Sequence, residues 1–104
     1  MLNAQNYEGC SPLHVAGGQA NSELFMFLLK QPKIDVNLRD NRKETPVFRT
    51  TGLSEEAINA LLDTGKVNLC VKNKDGITPI DHVRIHFRLK NYYKVFYDRG
   101  LLDE

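Results

Sequence analysis

Little in this sequence commits it to a charged or membranous partner. Lys and Arg number 14 against 13 Asp and Glu, a formal net charge of +1. Such a chain has no global bias toward nucleic acid or anionic membranes. Long apolar runs are missing: the longest, 24–29, has six residues, where a bilayer span needs about 20. No basic start leads into an apolar stretch, so no signal peptide is expected. Cysteine is scarce, and Cys10 and Cys70 form neither a C-x-x-C motif nor a disulfide framework. A reducing interior, cytoplasmic or nuclear, is the expectation.

Catalytic constellations are missing too. Gly65-Lys66 is no phosphate loop, because Val67 stands where Ser or Thr would hold magnesium. Cys10 and His14 are four apart, but no third group is visible to orient them as a nucleophile pair. His82 and His86 could share a helix face, yet no third His or Cys lies near to complete a metal site. Both are read as packed or solvent-facing. The acids are scattered, with no converging pair for general acid and base. No enzyme, metal, cofactor or small-molecule substrate is expected.

What is there is a repeat. Gly9-Cys10-Ser11-Pro12-Leu13, Lys43-Glu44-Thr45-Pro46-Val47 and Gly76-Ile77-Thr78-Pro79-Ile80 align, their hydroxyl–proline pairs 34 and then 33 residues apart. Leu28-Leu29, Leu61-Leu62 and, more loosely, Val95-Phe96 follow in turn. Strings beginning at Leu2, Val36 and Leu69 each start nine residues before the Ser or Thr. Three matches at one period indicate a repeat architecture.

Each copy reads as a helix pair. A Ser or Thr hydroxyl at the N-cap accepts from a free amide, and proline at the first helical position loses no bond. In the third copy Asp81 is placed to complete a capping box with Thr78. Polar stretches at 17–22, at 52–54 and around Asn91 are expected to end the first helices. Asn21-Ser22-Glu23 and Ser54-Glu55-Glu56 open second helices, with acids where the macrodipole favours them. Gly65 and Gly100 sit at helix C-caps, and Pro32 stops the first copy's second helix. One pair cannot bury its apolar face alone, so the pairs should stack into a short solenoid.

These residues resemble the ankyrin repeat, with its D-x-x-G-x-T-P-L-H opening, its Leu-Leu ending and its D-V-N tail. Ser11-Pro12-Leu13-His14 and Asp35-Val36-Asn37 carry the match most specifically. Asp40, Thr45-Pro46 and Gly65, then Asn73, Gly76 and Thr78-Pro79-Ile80, extend it over the chain. Lys43 departs at a glycine position, and Phe48 and Asp81 replace the histidine. The resemblance implies an all-α, ankyrin-type solenoid with short β-hairpin-like loops. The units expected within one domain (1–104) are 6–39, 40–72 and 73–104, the last a cap. Residues 1–5 read as the tail of a preceding unit, as if the chain were cut from a longer array.

The resemblance also implies a monomeric protein-binding module that uses a concave face of hairpin tips and first helices. Tyr7, Arg42 and Lys74 fall at the tips. The candidate partner-binding residues are Gln5, Tyr7, Glu8, Arg39, Arg42, Glu44, Lys72, Lys74 and Asp75, in a row that mixes acids at one end with cations toward the other. A partly acidic partner protein is expected. Outward-facing Glu55 and Asn59 on a second helix should matter little. Two other readings stay open: a stabilising or regulatory segment of a larger, possibly enzymatic, protein, and nucleic-acid or lipid contact through the basic, aromatic stretch 84–99. For that stretch a capping unit with a solvated outer face is preferred. Finally, Gly9 and Gly76 are expected at positive φ, so Lys43 should be strained if it shares their conformation.

Overall fold

Nearly every helix begins where the sequence supplies an acceptor for a free amide. The computed structural model describes residues 2–102; Met1 and 103–104, at the outer edges of the expected units, lie outside the described residues. Three pairs follow in order. They are α1 (Pro12–Gly18) with α2 (Ser22–Leu29), a 3-10 turn (Pro46–Arg49) with α3 (Glu55–Asp63), and α4 (Pro79–Ile85) with α5 (Lys90–Asp98). No strand occurs among the described residues, so the class is all-α. Asn21 caps α2, Ser54 caps α3 and Thr78 caps α4, each accepting from the amide three residues on. The α5 helix starts at Leu89 without a side-chain cap.

The capping box is in the first copy rather than the third. At Thr78 only the hydroxyl half forms, and Asp81 is left exposed. At Ser11 the hydroxyl accepts from the His14 amide, while Nδ1 of His14 lies 3.1 Å from the Ser11 amide and accepts from it. That assigns the ring proton to Nε2, which donates to the Glu44 carbonyl at 2.8 Å. One imidazole thus closes its own helix and bonds the next hairpin. Burial lowers its pKa, which favours the neutral form this arrangement needs.

The second copy's first helix is the main departure from expectation. Thr45 makes no cap bond, its buried hydroxyl has no partner, and only four residues of 3-10 helix follow. The Thr50 hydroxyl donates to the Val47 carbonyl at 2.8 Å, and the Leu53 amide donates to the Thr50 carbonyl. These local bonds compete with helix continuation, so the turn ends at Arg49, ahead of 52–54. In the third copy the break falls at 86–89, where the His86 and Leu89 amides close turns, and Asn91 lies inside α5.

Two C-caps behave as expected. Gly100, at φ 72°, donates to Tyr97, and Leu101 donates to Phe96, the paired bonds of a Schellman motif. Gly65, at φ 70°, donates to Leu62. Lys43 does adopt φ 62°, beside φ 79° at Gly9 and 77° at Gly76. Ala20, in the α1–α2 turn, also lies in the left-handed region, which the sequence did not signal.

One core runs through all three pairs, with Leu13, Phe25, Val47, Ile58, Leu61, Val83, Tyr92 and Phe96 fully buried. The pairs pack closely: a Cβ on Gly17 would meet the Arg49 carbonyl at 2.7 Å. A side-chain ladder joins the loops between copies. Asn3 donates to the Lys33 carbonyl and accepts from the Asp35 amide, and Asn37 does the same with Lys66 and Asn68. The result is an elongated body of 38 × 28 × 22 Å.

Candidate protein-binding face

The hairpins are three copies of one hydrogen-bonded turn. Asn6, Asp40 and Asn73 each use their Oδ1 to accept from the amides two and four residues on. Each also closes the loop by accepting, through its carbonyl, from the residue three on: Gly9, Lys43 or Gly76. Adjacent turns are linked, because Asn41 donates its amide to the Glu8 carbonyl and Lys74 donates to that of Arg42. The turns are therefore fixed by their own bonds, and the tip side chains other than Asn41 are left free.

This geometry corrects the tip register. Tyr7, Asn41 and Lys74 occupy one turn position, and Glu8, Arg42 and Asp75 occupy the next. Arg42 therefore belongs one place beyond Tyr7 and Lys74, and Asn41 is the tip residue that sequence reasoning passed over. Its side chain donates to the Tyr7 carbonyl. All six tip residues are exposed, Tyr7 to 93%.

Three other candidates are occupied inside the fold. Gln5 donates to the carbonyls of Gly9 and Arg39. Arg39, one period later, donates to those of Lys43 and Lys72. Glu44 is largely buried; it accepts from Asn73 at 3.0 Å and lies 3.6 Å from Arg49. Lys72, at the same position as Gln5 and Arg39, is exposed and offers only its carbonyl to this network.

Behind the tips lies a cavity of about 380 Å³. Its lining includes Cys10 and the Asp40–Arg49 pair, which are the more buried, and Glu8, Arg42 and Lys74, which are exposed. Arg49 and Asp40 approach to 2.6 Å. Burial pushes the Asp40 carboxyl up, but the Glu44 and Arg42 amides and the Arg49 guanidinium outweigh it, and its pKa falls below the ordinary value. Burial pushes the Cys10 thiol up, so it stays protonated and unreactive. Arg49 was not singled out from sequence, although it lies four residues past Thr45, on the first-helix side of the groove.

The side formed by the second helices differs in kind. A groove of about 640 Å³ lies between α2 and α3, with Met26 and Leu29 on one wall and Asn59 and Asp63 on the other. Asn59, expected from sequence to face outward, is engaged there: it accepts from Arg99 at 2.8 Å, and Arg99 also binds Asp63. Lys94 pairs with Asp98 and Glu55, and Arg88 stacks over Phe87. Much of the third copy's positive charge is thus committed to neighbours. His82 and His86 do stack, with ring centroids 4.2 Å apart, and His82 Nδ1 shares a 2.8 Å hydrogen bond with the Tyr92 hydroxyl. No cluster of three metal-ligating side chains occurs among the described residues. Neither is any helix there long and apolar enough to cross a membrane.

Comparison with known proteins places this geometry. The family model of the ankyrin repeat matches residues 8–41. Transient receptor potential cation channel subfamily A member 1 of Homo sapiens is 35% identical over 79 residues, covering 75% of this chain and 7% of that protein. A probable serine/threonine-protein kinase of Dictyostelium discoideum is 32% identical over 85 residues, covering 76% and 10%. An ankyrin repeat-containing protein of Schizosaccharomyces pombe is 33% identical over 75 residues, covering 72% and 35%. The chain thus spans about a third or less of these relatives' own lengths.

Proposed function

We propose, from the premise that this chain is of the ankyrin-repeat family, that it binds a partner protein through its hairpin tips and the groove behind them. Ankyrin repeats are non-catalytic modules that generally mediate protein interactions. The observation that carries the reading here is the tip row. Its backbone is bonded from copy to copy, while Tyr7, Glu8, Arg42, Lys74 and Asp75 make no side-chain bond among the described residues. A rigid base carrying free aromatic and charged side chains is a preorganised recognition surface. The units 6–39, 40–72 and 73–104 act together in this reading, as a monomer with no catalytic role. Its two free cysteines suit a reducing compartment.

The test is affinity for a captured partner, measured on single variants. Tyr7→Ala and Arg42→Ala should each weaken binding by more than about 1 kcal/mol without lowering the melting temperature. Added salt should slow association more than it speeds dissociation. Glu56→Gln, beside the α2–α3 groove, should change affinity little. Silent tip variants together with loss of binding on substitution at the α2–α3 groove would show that the wrong side has been chosen.

A second reading has support from length. All three relatives are longer than this chain, the kinase and the channel several times so, and the same face could therefore dock inside a larger protein and regulate it. In that case the partner segment would be found in the parent polypeptide itself. Nucleic-acid contact through 84–99 is not adopted, because Lys94 and Arg99 are already paired.

A further inference from the structure

The cations around the tip groove differ in what holds them. Arg49 is paired with Asp40 and lies beside Glu44. Arg39 donates to two backbone carbonyls. Arg42 and Lys74 have no such arrangement. Their backbones are joined by a 2.9 Å hydrogen bond, which sets the two residues side by side in the cavity lining. Neither side chain makes an ion pair or hydrogen bond among the described residues. The nearby carboxylates cannot supply one readily. Asp40 already serves two amides and Arg49, and Glu44 is engaged by Asn73 and Arg49. Glu8 stands on the same cavity and pairs with neither cation.

We propose that Arg42 and Lys74 together seat one carboxylate of the partner: an Asp or Glu side chain that enters the cavity behind the tips. This rests on reading the tips as the partner face and adds what the partner must present there. A guanidinium offers a planar fork and an ammonium a compact charge, and the two can grip one carboxylate from adjacent sides. The cavity, about 380 Å³, has room for such a side chain with water. Its other charges set the valence. Among the lining residues the Asp40–Arg49 pair cancels, which leaves two free cations and the free acid Glu8; Asp75, the other unpaired tip acid, is not part of the lining. A single carboxylate balances that set and lies at the cation side, away from Glu8. A phosphate dianion, or two successive phosphates of a nucleic-acid backbone, would with Glu8 set three negative charges against the two cations. The chain's net charge of +1 supplies no wider field to hold it.

The probe is a displayed library of random twelve-residue peptides, selected on the full chain, with affinities then measured by fluorescence anisotropy. The enriched peptides should share an Asp or Glu. Replacing that residue by Asn or Gln should weaken binding at least tenfold, as should the double variant Arg42→Gln, Lys74→Gln. Glu8→Gln should tighten the same peptides a few-fold, an effect that loss of folding could not mimic. All these side chains are exposed, so an unchanged melting temperature confirms that the variants fold. If the double variant binds the peptides normally while Tyr7→Ala loses them, the carboxylate seat is refuted and the tip face stands. Should Tyr7→Ala and the double variant both be silent, the seat and the face fail together. Enrichment of peptides without acids, recovery of no peptide, or displacement of the peptides by a thymidine oligonucleotide at lower concentration than by free peptide would each overturn the seat.

Discussion

The first and second copies share a period but are held together differently. In the first, α1 has a full N-cap, a reciprocal box through His14, and glycine at the positive-φ turn position. In the second, the cap bond is missing, the helix shrinks to a 3-10 turn, and Lys43 takes the left-handed position. Yet the second copy is the better buried. Val47, Phe48, Leu53, Ala57, Ile58 and Leu61 all lie within 3% of full burial, because it has a neighbour on both sides. Valine and leucine side chains at the other end, such as Val15 and Leu24, remain over a third exposed. A flanked copy can tolerate poor local chemistry because its neighbours fix its shape; a copy with one described neighbour leans on its own caps.

The contrast can be tested where it is largest. Phe48→Ala, in the flanked copy, should cost about 3–5 kcal/mol in chemical denaturation, since it empties a packed site and removes the edge-on contact with His82. A loss under about 1 kcal/mol would show that packing does not hold the second copy. The junction with the third copy should respond to acid. Burial, reinforced by the positive charges of His86 and Arg49, lowers the His82 pKa from 6.5 to about 4. The unfolded chain therefore binds this proton first as pH falls. Stability present above pH 6.5 should drain away between there and about 4, with His14 adding in the same direction. Melting temperatures measured from pH 7 to 4.5 should show this slope, and His82→Gln should flatten it; parallel slopes would remove His82 from the account.

Smaller effects sharpen the comparison. Lys43→Gly should add about 1 kcal/mol, the left-handed penalty less the extra freedom of glycine in the unfolded chain. The gain should also appear as slower amide exchange in the other two copies, and an unchanged melting temperature would mean that the turn costs nothing. Last come the caps. Ser11→Ala should lose about 1 kcal/mol, while Thr45→Val, which removes a buried hydroxyl without a partner, should be neutral or slightly stabilising. Equal losses at both positions would erase the distinction between the copies.

Most of the fold was legible because it is written in local chemistry at a fixed period. The Ser/Thr-Pro starts, the acids after Ser54, the terminal glycines and the strained Lys43 all act within a few residues of themselves. What escaped depends on neighbours in space. Thr50 looks like any turn residue until its hydroxyl is seen ending the 3-10 helix. Ala20 carries no glycine signal for its positive φ. Gln5 and Arg39 read as free tip-proximal polar groups, but their donors are used on carbonyls 34 and 33 residues away. Arg49 escaped for the opposite reason: its site exists only once the hairpins are stacked over it.

The ladder of forward-reaching side chains has a consequence for how such a chain can lengthen. Gln5 and Asn3, ahead of the first copy, bond to the end of that copy, as Arg39 and Asn37, at its end, bond to the end of the second. In this ladder each unit therefore reads its successor through backbone groups, which any sequence provides; the matched side-chain pairs, such as Arg99 with Asn59, lie elsewhere on the junctions. A duplicated unit of one full period, inserted at the junction between two copies, would find partners on both sides without a compensating change. An insertion of a few residues would leave the same donors facing empty space. Gene duplication can extend this architecture in whole units, and drift in loop length cannot.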